Sequence, residues 1–368
     1  MLRKFYGMQA RQEIYSDYLG HIWLLEFYLE NGKFIFPPLF YLSVELFSKL
    51  LIPFVSPKVF AAGVILAAFT LLKFTLIYRY LIQNTQGQFF IMALLSLGLM
   101  LFFPYYLFQF EGPYWYMGKF TPTVWHNCTS TFVWPFSFLL FWEAQKWLDD
   151  QKKSRWYLMA LWALLILLSK PSFLFAFIPV FPLMAYIKQK KLNAKTILFS
   201  SVLFLGLLGL REMIYLNSLD ELIYLRNEKH SVIWLPFAVY QLYAESPILE
   251  FLASFAFLLL AFGLLGKSLL QKAEVQFALL LSLVSLLVYL LLAEEGYRFP
   301  DANFYWQIPI SLSILYLVII KNTWMDFRQK QDSKPALVSY GILLLGFMGH
   351  VASGVQYLHH YIATKSYL

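Results

Sequence analysis

Apolar runs of fifteen residues or more recur along this chain with short polar stretches between them, and that rhythm predicts membrane-embedded helices. Ten such segments are read, near 58–78, 88–108, 129–147, 155–169, 171–187, 196–216, 248–266, 274–293, 304–320 and 335–357. About twenty residues at roughly 1.5 Å of rise each cross the hydrocarbon of a bilayer. The stretch 155–187 is too long for one crossing. Pro171, in "SKPS" (169–172), removes a backbone donor and biases Lys170 away from helix, so two short helices hinged there are predicted.

Before residue 58 the pattern changes. "DYLGHIWLLEFYLENGKF" (17–34) carries Ile22, Leu25 and Leu29 on one face, with Leu24 and Phe27 beside them and His21, Glu26 and Glu30 on the more polar side. That is an amphipathic helix lying on a membrane surface. "PPLFYLSVELFSKLLIPFV" (37–55) has a Glu45–Lys49 pair at i,i+4 and flanking prolines, which favour a second interfacial helix over a span. The expected fold is all-α: a polytopic helical bundle with a 1–57 region carrying two interfacial helices and a 58–368 transmembrane domain.

Composition agrees. Hydrophobic residues make up 60% of the 368 positions and charged ones 14%, and the mean hydropathy is +0.60. Soluble domains run nearer half apolar and a quarter charged, so no sizeable soluble domain is expected. A net charge of +8 would suit a nucleic-acid partner, but the basic residues come in short clusters between apolar runs. These are Lys146, Lys152, Lys153 and Arg155; Lys188, Lys190, Lys191 and Lys195; Lys267 and Lys272; and Lys321, Arg328, Lys330 and Lys334. That arrangement marks cytoplasmic loops and excludes a nucleic-acid footprint. The loops 109–130, about 217–247 and 294–304 then fall on the extracytoplasmic side. So does the N-terminal region, against the charge of Arg3, Lys4 and Arg11; a span upstream of residue 1 would remove that conflict.

The opening residues lack the apolar core of a signal peptide, and a single cysteine, Cys128, excludes an internal disulfide framework. "NCT" (127–129) matches a glycosylation sequon that carries little weight. No nucleotide-binding glycine loop, zinc-ligand spacing or Ser-His-Asp signature is present.

The outer loops hold the unusual chemistry. Asp17 precedes His21 by one helical turn, so the two side chains share a face. Asp17 is either a proton acceptor or the N-cap of the helix beginning near Tyr18. "YMGKFTPTVWHNCTST" (116–131) supplies Lys119, His126 and Asn127, and "EEGYRFPDANF" (294–304) supplies Glu295, Arg298 and Asn303. The guanidinium of Arg298 suits phosphate oxygens, or else pairs with Glu294, Glu295 or Asp301. Lys170, at the hinge, is either a phosphate ligand or a snorkelling side chain. Asn127 and Asn303 suit sugar hydroxyls or local backbone. His350, inside the last span, has no assigned partner.

An Asp in the first external loop, two interfacial helices and many spans with short cytoplasmic loops resemble the GT-C superfamily of membrane glycosyltransferases. "SDYLGHIWLLEFYLENGKFIFPPLFYLSVELF" (16–47) looks like their first external loop, with Asp17 to His21 as its acidic "D-Y-x-x-H" motif. "WHNCT" (125–129) and "EEGYRFPDANFYW" (294–306) look like the "WHNPT" and "G-x-R…NF-W" patterns of bacterial proteins with this layout, with Cys128 in the proline's place. The resemblance implies transfer of a sugar from a polyprenyl-phosphate donor at the extracytoplasmic face of a bacterial inner membrane, in cell-envelope glycan or glycolipid synthesis. Asp17 and His21 would be the catalytic pair. Arg298, Lys119, His126, Asn127, Glu295, Asn303 and Lys170 would hold substrate. The expected partners are the lipid-linked sugar donor and membrane lipids. No particular cofactor is implied; Asp17 and His21 could share a divalent metal, but two ligands are too few to predict one. A polysaccharide polymerase or ligase acting on lipid-linked glycan, a transporter or lipid-glycan flippase, and an inactive scaffold stay open.

Overall fold

The structure, a computed structural model, describes residues 2–10, 16–50, 56–83, 88–106, 115–150, 155–191, 193–217, 231–330 and 332–366. Its helices are α1 (Leu2–Ala10), α2 (Tyr18–Glu30), α3 (Leu39–Lys49), α4 (Pro57–Ile82), α5 (Phe89–Leu101), α6 (Cys128–Asp149), α7 (Trp156–Ser169), α8 (Ser172–Gln189), α9 (Ala194–Leu216), α10 (Ala238–Tyr243), α11 (Pro247–Leu270), α12 (Ala273–Leu291), α13 (Gln307–Lys330) and α14 (Lys334–Thr364). Two short strands, β1 (Val232–Trp234) and β2 (Leu292–Glu294), pair antiparallel with Ile233 opposite Ala293.

A helix lies at each of the ten apolar runs, and seven of them (α4, α8, α9 and α11 to α14) are long and apolar enough to cross a membrane. The apolar α5 and α7 are shorter, at 13 and 14 residues. The chain is a multi-pass helical membrane protein. At its centre stands α13, where every residue from Gln307 to Asn322 is buried. A helix enclosed on all sides needs no polar stripe, and this one has little of one. Peripheral helices show the opposite face to their surroundings: on α9, Leu198, Val202 and Leu205 are all exposed, as a lipid-facing surface requires.

The expected hinge is present. Lys170 is extended (φ −157°, ψ 103°) between α7 and α8, and its amide still closes the last turn of α7 on the Ile166 carbonyl at 2.9 Å. A helix forms in each of the two segments before residue 58, as α2 and α3; residues 51–55 of the second segment lie outside the described residues. Each buries one stripe, Tyr18, Ile22, Leu25 and Tyr28 on α2 and Phe40, Tyr41 and Val44 on α3. Glu45 meets Lys49 at 3.6 Å, and Lys58 reaches Glu26 at 3.7 Å and Glu45 at 3.9 Å, tying both helices to the start of α4.

The second apolar run departs from expectation. A span over 88–108 was expected, yet α5 stops at Leu101 and residues 102–106 are not helical. Pro104 is the reason, since it offers no amide hydrogen and disfavours helix at Phe103. The freed backbone donors are met from neighbouring helices. Phe103 N bonds the His350 carbonyl at 3.2 Å, Tyr105 N the Ala253 carbonyl at 3.0 Å, and Tyr106 N the Ser353 hydroxyl at 3.2 Å. Such repair is what permits irregular backbone inside a membrane bundle. His350 belongs to this repair: Nδ1 lies 2.6 Å from the Phe103 carbonyl, and Nε2 accepts from Phe257 N at 3.2 Å. One nitrogen donating and the other accepting describes a neutral imidazole that joins α5's exit, α11 and α14. The two-stranded ribbon went unread because three-residue strands leave no periodic signal.

At the opposite end, Glu274 at the start of α12 gathers four helices. It accepts from Lys321 (2.6 Å) and Asn322 (2.6 Å) on α13, Tyr80 (2.7 Å) on α4 and Gln145 (2.8 Å) on α6. Asp326, bonded to Tyr340 at 2.7 Å, ties α14 to the same end. The described members of the four basic clusters lie at helix ends on this side, Lys188 meeting Asp149 of α6 and Lys330 meeting Asp326, while α1 to α3, the α7–α8 hinge and the approach to α6 share the other.

Gly354 sets how closely α14 approaches the end of α5, because a Cβ there would sit 1.5 Å from the Leu101 carbonyl oxygen. Backbone cannot yield as a flexible side chain would. Gly354→Ala is expected to destabilise the protein by about 3 kcal/mol or more, the upper range for overpacking. Thermal unfolding in detergent checks this; an unchanged midpoint would mean that the two helices do not meet here.

Candidate functional site

The site is built around the first turn of α6. Asn127 is that helix's N-cap, its Oδ1 accepting the Ser130 amide at 2.9 Å. The next free amide hydrogen, on Cys128, is taken by Asp17, whose Oδ1 and Oδ2 lie 3.0 and 3.3 Å away. This corrects one of the two readings of Asp17. It occupies the N-cap position of α2, but its carboxylate makes no capping bond there and serves α6 instead. A carboxylate at a helix N-terminus meets unpaired N–H groups and the positive end of the helix dipole. A proline at position 128 would have no hydrogen to give, so this bond requires the backbone amide that Cys128 supplies.

His21, one turn along α2, donates from Nε2 to Asp17 Oδ2 at 3.2 Å, and its Nδ1 lies 2.6 Å from the Tyr41 hydroxyl on α3. The side chains of Asp17 and His21 are 28% and 19% exposed, so a molecule at this end of the bundle can reach the pair. Burial alone would raise the Asp17 carboxyl; the His21 ring, with His126 and the Cys128 amide behind it, outweighs that and holds it below the ordinary carboxylate range. Burial pushes His126 down to about 4, so it is neutral at pH 7, where the His21 bond and the Cys128 amide do the holding.

Lys170 arrives from the α7–α8 hinge. Its ammonium donates to Asn127 Oδ1 at 2.8 Å and to the Thr129 hydroxyl at 3.2 Å, and lies 4.6 Å from the centre of the Trp306 ring. The His126 ring stands edge-on to Trp306 and Tyr116, with centroids 5.8 and 4.5 Å away. Its carbonyl accepts the Asp17 amide at 3.4 Å. Residues from three distant stretches of chain thus meet in one cluster: Asp17, His21, His126, Asn127 and Lys170.

The other expected residues lie elsewhere. Lys119 is buried, with its ammonium 4.8 Å over the Trp115 ring. Arg298 takes the internal pairing, 3.8 Å from Glu294 and 3.6 Å from Asp301. The 3-10 turn over Gly296–Asp301 brings those carboxylates round to the guanidinium. Asn303 donates to Glu294 at 2.5 Å, and Glu295 accepts from the Ser231 hydroxyl beside the ribbon. None of these contacts reaches the Asp17 cluster.

Sequence reasoning missed Tyr41, Thr129, Trp306 and the Cys128 amide. Trp306 was within a quoted motif, but aromatic residues are common at membrane interfaces, and nothing in the motif points to Lys170. Among the described residues, no group of three or more His, Cys, Asp or Glu side chains is placed to hold a metal. A divalent ion between Asp17 and His21 would have to displace the hydrogen bond joining them.

Compared with protein-family models, curated proteins and solved structures, the chain matches none. The class that fold and site define is a multi-pass helical membrane protein with a carboxylate, two imidazoles and an ammonium clustered at one end of its bundle.

The neutral His126 makes stability depend on pH. Its folded value of about 4 lies below the usual 6.5, so between these values the unfolded chain binds a proton that the folded one refuses. Stability is complete above pH 6.5 and falls as pH drops toward 4, by on the order of 3 kcal/mol. The lowered Asp17 acts in the same direction, but only below the unfolded carboxylate range near ~3.9. Unfolding midpoints of wild type and His126→Gln between pH 7 and 4 (roughly the window set by the two values) should converge as pH falls. Parallel curves would show that His126 does not titrate this way.

Proposed function

We propose that the protein is a membrane glycosyltransferase that takes a sugar from a lipid-linked phosphate donor, with Asp17 as the base and Lys170 as the cation at the departing phosphate. The observation that carries this reading is the Asp17–His21 pair, its carboxylate ionised, partly exposed and clustered with a lysine whose ammonium is anchored on Asn127. The acceptor hydroxyl gives its proton to Asp17 while its oxygen bonds to the anomeric carbon. The bond from that carbon to the phosphate oxygen breaks, and its electron pair leaves with the phosphate. A lowered carboxyl is a weak base, suited to taking the proton late, once the hydroxyl oxygen has become acidic by bonding to carbon. His21 and the Cys128 amide fix the carboxylate's direction, and the Lys170 ammonium offsets charge as it develops on the leaving group. A polymerase or ligase working on lipid-linked glycan would use the same base and cation.

The reading puts this end of the bundle outside the cytoplasm, and the grouping of the basic loops at the other end supports that. It extends to the ten-span, GT-C-like layout and to a bacterial inner membrane, where polyprenyl-phosphate donors serve envelope glycan synthesis.

Reconstitution with radiolabelled polyprenyl-phosphate sugars tests the chemistry. Asp17→Asn should lower transfer by roughly 10²–10⁴-fold, the usual worth of a general base, while the protein stays folded. Transfer that survives the substitution removes Asp17 from the role, and uptake of free sugar without transfer would favour a transporter. Sidedness is separable. Cys128 is buried, so Pro300→Cys, on the exposed 3-10 turn, provides a single reporter. Gly118 is unsuited, since a Cβ there would meet the Tyr243 carbonyl at 2.3 Å. An impermeant maleimide should label residue 300 from outside intact cells; labelling only from the cytoplasmic side overturns the orientation.

A further inference from the structure

Two residues past the Asp17 contact, α6 presents Ser130 to a small cavity, of about 30 Å³. Thr70 and Lys73 of α4, Thr123 from the approach to α6 and Trp134 further along α6 also line it, and Pro309 of α13 closes one side. The Lys73 ammonium lies 4.8 Å from the centre of the Trp134 ring. Among the described residues it meets no carboxylate and no hydrogen-bond acceptor. Ser130 and Thr123 are buried, 4% and 3% exposed, and neither hydroxyl oxygen has a hydrogen-bond partner.

Buried hydroxyls without a partner occur elsewhere among the described residues, at Ser172, Ser200 and Thr323, but here three polar groups without partners share one cavity. Glu274 is surrounded by four donors, and Thr70 itself shares a 2.7 Å bond with Tyr6. A lysine within a membrane bundle is costly and marks a ligand or ion site more often than a packing solution. Its contact with Trp134 gives some relief but satisfies none of its three N–H donors. What the cavity lacks is negative charge. What it offers is an ammonium and two hydroxyls free to donate, converging at the positive end of α6. A compact oxyanion with several acceptor oxygens completes that set; a cation or a neutral sugar does not.

We propose that this cavity binds a phosphate group, held by the Lys73 ammonium and the hydroxyls of Ser130 and Thr123. The inference needs none of the transfer chemistry assigned to Asp17, because it concerns binding alone. Two sources share the chemistry: free inorganic phosphate, and the phosphate headgroup of a lipid entering from the bilayer.

The test uses the purified full-length chain in detergent, with thermal unfolding read during titration by inorganic phosphate, by a short-chain prenyl monophosphate, and by the matching prenyl alcohol at equal ionic strength. A phosphate-bearing ligand should raise the wild-type midpoint in a saturable way, and the alcohol should not. Response to inorganic phosphate identifies a free-ion site; response to the prenyl phosphate alone identifies a lipid headgroup. Ser130→Ala and Thr123→Val, small changes that leave the fold, should each weaken the apparent affinity about tenfold, as loss of one charge-assisted bond does. Lys73→Met should abolish the response, yet unfold no earlier than wild type without ligand, because a half-buried charge with no acceptor has been removed from the bundle. No saturable response to either phosphate, or the same response in Lys73→Met, overturns the proposal. So does a Lys73→Met protein that loses stability without ligand while wild type ignores phosphate, which would make Lys73 an anchor on Trp134.

Discussion

The amide hydrogens at the start of an α-helix have no partner within it, and here the one on Cys128 is met by a carboxylate 111 residues earlier in the chain. That bond joins α2 to α6, and much of the candidate site follows from it. With Asp17 fixed at the head of α6, His21 falls within reach of its oxygen, and Tyr41 of α3 completes the ring's other nitrogen. Asn127, which caps the same turn, also receives Lys170, so the α7–α8 hinge is drawn to the same place. The first turn of α6 therefore positions a carboxylate and an imidazole from α2 and an ammonium from the α7–α8 hinge.

The bundle treats its buried polarity in two ways. Where polar groups join helices they are saturated: Glu274 by Lys321, Asn322, Tyr80 and Gln145, and His350 by Phe103 and Phe257. In a medium without water, each unmet donor or acceptor is costly, so such networks are built complete. Near the first turn of α6 the saturation stops. Asp17 stays partly exposed, and Lys73, Ser130 and Thr123 face a cavity without partners.

Much of the framework was legible in the residues. Runs of apolar side chains predict helices whatever surrounds them, because in hydrocarbon the backbone can be satisfied only within a helix or a closed barrel. Pro171 announced the hinge, and the spacing of Ile22 and Leu25 announced the buried face of α2. Pro104 carried the end of α5 equally plainly, but a hydropathy average hides a proline between aromatic residues. At the site, Asp17 and His21 were readable as a pair because one helical turn separates them, a local relation.

Sequence by itself determined the elements, their apolar faces, and the pairs set by helical period, since these depend on a side chain's neighbours within one turn. Tertiary structure decided which of the scattered polar residues meet. Arg298 and Lys170 looked alike as phosphate ligands, yet Arg298 closes on Asp301 in its own turn and on Glu294 at the end of β2, while Lys170 crosses to Asn127. Asp17 chose between capping its own helix and serving a distant one, and Cys128 entered through a backbone hydrogen that no side-chain pattern reveals. Contacts between residues far apart in the chain depend on how the helices pack, and only the folded bundle brings those groups within hydrogen-bonding distance.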